Sequence, residues 1–194
     1  MEITYKDKII KAQKGIMIDK IKAFDYMLQL FEEWRDSHEE LKNKPLSKLT
    51  ALKLLFLTAA PKEDGGDNLL DIFNNFYAMQ YGPVESDVYN AIQANMLPSY
   101  IAEYRSIERR KECIDFPSEY KGPEYEPIQN AVKELRTKNE NLIELNAFEL
   151  VEITHKWNSW NLAMNFAEFM GQLSAKMSTV SIEEDSNKRF SLTD

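Results

Sequence analysis

The stretch SKLTALKLLFLTAA, residues 47–60, places a helix at the centre of the fold. Its leucines and its phenylalanine fall on several sides of a helix rather than on one stripe, which is typical of a helix packed on all sides. Ser47 is a good N-cap, because its hydroxyl can accept a hydrogen bond from a free amide of the first turn. Pro45, two residues earlier, pushes Lys44 out of helical geometry. We therefore predict a central, buried helix that begins just after Ser47.

Further helices are predicted on both sides of this one, because apolar residues recur there at spacings of three and four. The segments are residues 16–36, an apolar-rich stretch at 69–81, and residues 85–96, 127–135, 147–156 with Asn146 as the cap, and 159–173; the last carries Leu162, Ala163, Phe166, Phe169, Met170 and Leu173. A short helix is expected at 101–104, and residues 115–127 read as a loop rich in proline. We predict a mainly α fold: one compact multi-helix domain with an N-terminal helical extension, leaving room for one short β-hairpin at 64–80.

The expected domain boundaries follow breaks in composition. Residues 1–44 form an N-terminal helical arm, residues 45–178 form the helical domain, and residues 179–194 form a polar tail that we expect to be disordered. A chain of 194 residues with 43% hydrophobic residues is long enough to bury a core of its own.

Charge and cysteine content narrow the classes of function. The net charge of −8 argues against nucleic-acid binding, which needs lysine and arginine to displace counterions. Acidic residues gather at 25–40, as either a solvated helix face or a docking surface for a basic partner. No apolar run approaches the roughly 20 residues that cross a bilayer. With one cysteine and no signal-peptide pattern, the chain is expected in the cytoplasm.

The turn at residues 81–84, YGPV, is the most distinctive local feature. Gly82 allows backbone angles that other residues resist, and Pro83 fixes its own φ and needs no hydrogen-bond acceptor. Glu85 and Asp87 follow, where carboxylates interact favourably with the N-terminus of a helix. We predict that the turn is a rigid corner that sets the angle between two helices.

Few residues have the spacing that catalysis requires. The sequence contains no Walker P-loop, no GxGxxG and no HExxH motif, and one cysteine with two histidines cannot build a Cys/His zinc site. His155 could act as a general base oriented by Glu152, or it could pack against Trp160 as a structural residue. Cys113 lies among basic residues, but nothing in the sequence pairs it with a base. We predict no catalytic residue, no cofactor and no metal.

Three segments in order resemble the Panacea domain of SocA-like antitoxins. They are residues 52–59, LKLLFLTA; residues 76–84, FYAMQYGPV, with Val88 and Tyr89 after them; and residues 150–156, LVEITHK, followed by Trp160. Met79 stands where the family usually has tryptophan. The resemblance implies a mainly helical fold whose scaffold is built by the motif residues Tyr81, Gly82, Pro83, Val84, Tyr89, Thr154, His155, Lys156 and Trp160.

The resemblance also implies a function. Members of the family resemble antitoxins that neutralise a toxin by direct binding, and one of them delivers its toxin to a protease. We therefore expect a non-enzymatic antitoxin with a protein toxin as its partner. Two alternatives stay open: a protease adaptor whose tail or N-terminal arm is a tether, and a small hydrolase that uses His155.

Overall fold

The computed structural model describes residues 18–113 and 118–193, so the first 17 residues of the predicted arm lie outside the described residues. Its α-helices are α1 (Lys20–Asp36), α2 (Lys48–Ala59), α3 (Ser86–Gln93), α4 (Glu126–Lys138), α5 (Ala147–His155), α6 (Asn158–Phe169) and α7 (Thr179–Glu183). Its strands are β1 (Leu46–Ser47), β2 (Phe76–Met79), β3 (Gly82–Glu85), β4 (Tyr100–Ala102), β5 (Ser106–Arg109) and β6 (Ala175–Lys176). Short 3-10 turns lie at Glu39–Leu41, Ser118–Lys121, Pro123–Tyr125 and Glu140–Glu144.

Helix α2 occupies the centre, as predicted. Ser47 caps it by accepting a hydrogen bond from the backbone N–H of Thr50, and every residue from Thr50 to Ala59 is buried. Helices α1, α4 and α5 and strand β3 all pack against it. The apolar residues on all sides of α2 are therefore covered by several different elements.

Helix α1 contributes to the same core rather than standing apart from it. Phe24, Met27, Phe31 and Trp34 are buried along one face, which confirms the predicted stripe. The indole N–H of Trp34 donates to the carbonyl of Glu140, which fixes the end of α1 beside the turn that precedes α5.

The structure corrects the prediction for residues 69–85. Two three-stranded antiparallel sheets are present, with strand orders β1-β5-β4 and β3-β2-β6, which is more than the one hairpin allowed for. In β2 the alternate residues Phe76 and Ala78 are buried while Tyr77 and Met79 are half-buried, a period of two that suits a strand. Strand β3 pairs with β2 so that Met79 lies opposite Gly82. Gln80 and Tyr81 connect the two strands, and Gly82, Pro83 and Val84 already lie in β3, so the YGPV motif belongs to a hairpin and not to a corner between two helices.

Two other segments also differ from their predictions. The expected short helix at 101–104 is strand β4, which pairs with β5. Residues 179–193, expected to be a disordered tail, pack against the domain: Ile182 and Phe190 are buried, and the indole N–H of Trp157 donates to the carbonyl of Arg189. Buried apolar side chains and hydrogen bonds to the domain together hold this segment, and its polar average composition does not reveal them.

Candidate functional site

The start of strand β3 is pressed against α2 and α5 at Gly82. The φ angle of Gly82 is +91°, a backbone conformation that L side chains rarely adopt. A Cβ atom at this position would lie 2.5 Å from Oγ1 of Thr154 and 2.9 Å from Nζ of Lys53. These distances are shorter than any van der Waals contact, so glycine is required both for its backbone angle and for the close approach.

Lys53 lies beneath this turn and is fully buried in α2. Its ammonium group donates a hydrogen bond of 2.5 Å to the carbonyl oxygen of Pro83. Burial lowers the pKa of Lys53 well below its ordinary value, because a charged amine loses its hydration there. Lys53 therefore ties the hairpin to the central helix. The role of Lys53 was not predicted, although a lysine in the middle of a largely apolar helix was a signal that could have revealed it.

His155 and Trp160 close the other side of the turn. Their rings stack with centroids 3.9 Å apart and planes 14° from parallel, and the indole N–H of Trp160 donates to the carbonyl of Met79 at 3.1 Å. Burial, and then the nearby charge of Lys53, lower the pKa of His155, while a hydrogen bond with the Gln80 backbone acts in the opposite direction. The net effect favours the neutral form of the imidazole.

We call the set Lys53, Gly82, Pro83, Thr154, His155 and Trp160 the motif junction. It joins the β2–β3 hairpin to α2, α5 and the start of α6, and Val84 is buried next to it in β3. The structure thus brings five of the nine predicted motif residues into one cluster.

The remaining motif residues point elsewhere. Lys156 donates to the carbonyl of Leu192 and so holds the C-terminal segment. Tyr89 lies on the outer side of α3 and is 37% exposed. Tyr81 is half exposed and meets Phe148 edge to face, with ring centroids 6.4 Å apart. Phe148 lies on the outer side of α5, 65% exposed, whereas Leu150 and Ile153 of the same helix fill the core.

The geometry of the junction gives little basis for acid–base chemistry. Nε2 of His155 has no hydrogen-bond partner among the described residues, and the side chain of Glu152, the proposed orienting acid, is exposed. The hydroxyl of Thr154 donates to the carbonyl of Val151. A cleft of about 670 Å³ is lined by other residues, among them Asn74, Asn75 and Asp87. Within the described ranges, no cluster of three potential metal ligands occurs.

The acidic residues at 25–40 are used partly inside the fold. The buried carboxylate of Asp25 accepts hydrogen bonds from the backbone N–H of Ser99 and the hydroxyl of Tyr120. Glu32 accepts from Tyr100 and Arg109. These carboxylates attach strands β4 and β5 and Tyr120 to α1, which leaves fewer of them for a docking surface.

The outer side of α6 carries an exposed apolar surface, which we call the α6 face. Its inner side packs on the core through Trp160, Ala163 and Met164. The α6 face consists of three residues of the helix and two residues beyond its end, with these exposed fractions: Leu162 66%, Phe166 58%, Phe169 86%, Met170 53% and Leu173 92%. Spacing alone could not show that these side chains point to solvent.

Comparison with known proteins gives one finding. The model of the family described as "Antitoxin SocA-like, Panacea domain" matches residues 52–161, a range that holds the whole motif junction. No curated protein and no solved structure matches the chain significantly.

Proposed function

The chain belongs to the SocA-like antitoxin family with a Panacea domain, and we propose that it is an antitoxin that neutralises a partner toxin by direct protein–protein contact. The match over residues 52–161, more than half of the 194 residues, is the observation on which this proposal rests. The partner is a protein that is not yet identified. In this account the chain acts by holding the toxin, not by converting a substrate.

The motif junction supports a binding role. Lys53, His155 and Trp160 are engaged with one another or with backbone carbonyls, and they fix the hairpin and α6 in place. A rigid scaffold of this kind lowers the conformational entropy that is lost when a protein binds its partner. We propose that the motif residues serve the fold and that another surface contacts the toxin.

The alternatives have less support. The tether of the adaptor hypothesis was the 181–194 tail, yet residues 185–192 are held by Trp157, Lys156 and Asn139. The hydrolase hypothesis needs a carboxylate beside His155, and Glu152 is exposed instead. Among the described residues, no helix is both long and apolar enough to span a bilayer. We keep the cytoplasm as the proposed location.

Co-expression with the product of the neighbouring gene tests the proposal. Expressed alone, that product should arrest growth, and the chain should restore growth and co-purify with it. A frameshifted copy of the chain's gene is the control, because it keeps the transcript while removing the protein. If the neighbouring product is harmless alone, or never co-purifies with the chain, the antitoxin proposal fails.

A further inference from the structure

We propose that the α6 face is the surface that holds the toxin and that it receives an apolar, uncharged surface of that partner. This inference rests on the proposed function and goes beyond it, because it names the contact surface and the chemistry of the partner's side.

The α6 face exposes an apolar surface comparable with the largest patch of a typical monomeric protein, and such patches are often binding sites. The rings of Phe166 and Phe169, 58% and 86% exposed, present about 300 Å² between them, taking about 200 Å² for a whole ring. Leu162, Met170 and Leu173, each more than half exposed, add to this area. The largest apolar patch on a typical monomer is about 300–600 Å², and one side of a standard protein interface is about 800 Å². The α6 face is therefore large enough to form the core of an interface.

The charge of the segment indicates what kind of partner fits. Residues 158–173, NSWNLAMNFAEFMGQL, include a single charged residue, Glu168, whereas 29% of the whole chain is charged. Depletion of charge and enrichment of phenylalanine and methionine are the composition of interface cores. An anionic membrane or a nucleic acid would need lysine or arginine, which the segment lacks. The complementary surface is consequently an apolar and uncharged patch on a protein.

Helix α6 is also held firmly at its start, which favours binding. The carboxylate of Asp185 accepts hydrogen bonds from the backbone N–H groups of Asn158 and Ser159 at 3.3 and 2.6 Å, and thereby caps the helix from the C-terminal segment. Trp160 fastens the first turn to the hairpin. A helix fixed in this way presents its apolar residues without further ordering. This links the motif junction to the α6 face: the junction positions the helix that binds.

The test compares substitutions on the face with a matched substitution elsewhere. Phe166→Ser and Phe169→Ser remove exposed rings of the face, Leu173→Ser removes an exposed side chain beyond the helix, and Tyr104→Ser removes an equally exposed ring, 88% accessible, outside the face. Binding to the purified product of the neighbouring gene is measured by calorimetry. We expect Phe166→Ser and Phe169→Ser each to raise Kd by about 30-fold or more, as central interface residues do. Tyr104→Ser should change Kd less than about threefold.

Folding controls and the remaining outcomes keep the test decisive. Unchanged urea midpoints show that the variants fold. If Phe166→Ser or Phe169→Ser does not fold, Leu173→Ser, which lies outside α6, repeats the binding test. If all face variants bind as tightly as the unsubstituted chain, the inference is overturned while the proposed function stands. If the unsubstituted chain itself does not bind, both fail. The chain alone could also sediment as a dimer that the face variants dissociate while toxin binding is unaltered. That result would assign the face to a second copy of the chain and overturn the inference. The inference is also overturned if the chain binds phosphatidylglycerol vesicles and the face variants abolish that binding while toxin binding is unaltered.

Discussion

Replacing Gly82 by alanine should destabilise the protein more than the same change at any open glycine. The new Cβ would lie 2.5 Å from Oγ1 of Thr154 and 2.9 Å from Nζ of Lys53, so buried groups must shift. Overpacking of a core costs about 1–3 kcal/mol, and an alanine forced to positive φ costs about 1–3 kcal/mol more. We expect the free energy of unfolding to fall by about 4 kcal/mol.

Urea denaturation followed by circular dichroism measures this change. With a slope of about 2 kcal/mol per molar urea, the midpoint should fall by about 2 M. Gly65→Ala is the matched control, because Gly65 also has a positive φ, +70°, but a Cβ there would meet no atom within 4 Å. That control should lose only about 1–2 kcal/mol, the cost of the backbone angle alone.

A double substitution separates the two causes. Gly82→Ala combined with Thr154→Ala removes the nearer of the two clashing atoms, so the pair should lose at least about 1 kcal/mol less than the sum of the single losses. Equal losses for Gly82→Ala and Gly65→Ala, together with additive behaviour of the double variant, would refute the claim that the close approach demands glycine.

Three further predictions concern the buried groups and the C-terminal segment. Burial lowers the pKa of Lys53, so between that lowered pKa and 10.5 the unfolded chain binds more protons than the folded chain. The free energy of unfolding should therefore rise with pH across that range, by at most about 1.4 kcal/mol per pH unit. Lys53→Met should remove this contribution in urea titrations from pH 7 to pH 10. The same dependence of the unfolding free energy on pH in Lys53→Met and in the unsubstituted chain would contradict this prediction. Phe190→Ala should cost about 3–5 kcal/mol, because the ring is buried against Trp157, and should make residues 185–193 sensitive to limited proteolysis; a stable and resistant variant would show that the segment is not anchored. His155→Ala should lower the thermal midpoint through loss of the stack on Trp160 and yet still co-purify with the toxin; loss of neutralisation with an unchanged midpoint would instead favour a chemical role for His155.

Much of the helical framework follows directly from the sequence. The caps at Ser47 and Asn146, the stripe of α1 and the all-apolar α2 each satisfy a local rule, and the structure contains each of them. Local rules succeed here because a cap and a stripe depend on neighbours within one or two turns.

The hairpin and the α6 face could not be predicted in the same way. Residues 69–81 have apolar spacing that suits a helix. Residues 76–79 instead form strand β2, which pairs with β3 and β6, and the burial of Phe76 and Ala78 has the period of two of a strand. The residues of the α6 face have the spacing of a buried stripe, and spacing does not report which side of a helix meets the core. Contacts distant in the chain decide both features.

The site was predictable only in part. The resemblance named Gly82, Thr154, His155 and Trp160 as motif residues, and in the structure they lie in one cluster. Lys53 joins them from a helix 29 residues before Gly82, and no local rule connects the two. The expectation of a disordered C-terminal tail differs from the structure for a related reason. Asp185 caps α6, which is distant in the chain, and the local sequence around Asp185 does not indicate that partner.

The most direct test of a protein that works by holding its partner is a titration of the toxin's activity with purified chain. A binder should neutralise the toxin in proportion to its own amount, so that inhibition ends sharply at a fixed whole-number ratio of the two proteins. Complete neutralisation by amounts far below that ratio, increasing with incubation time, would mean that each molecule acts many times and would contradict the account.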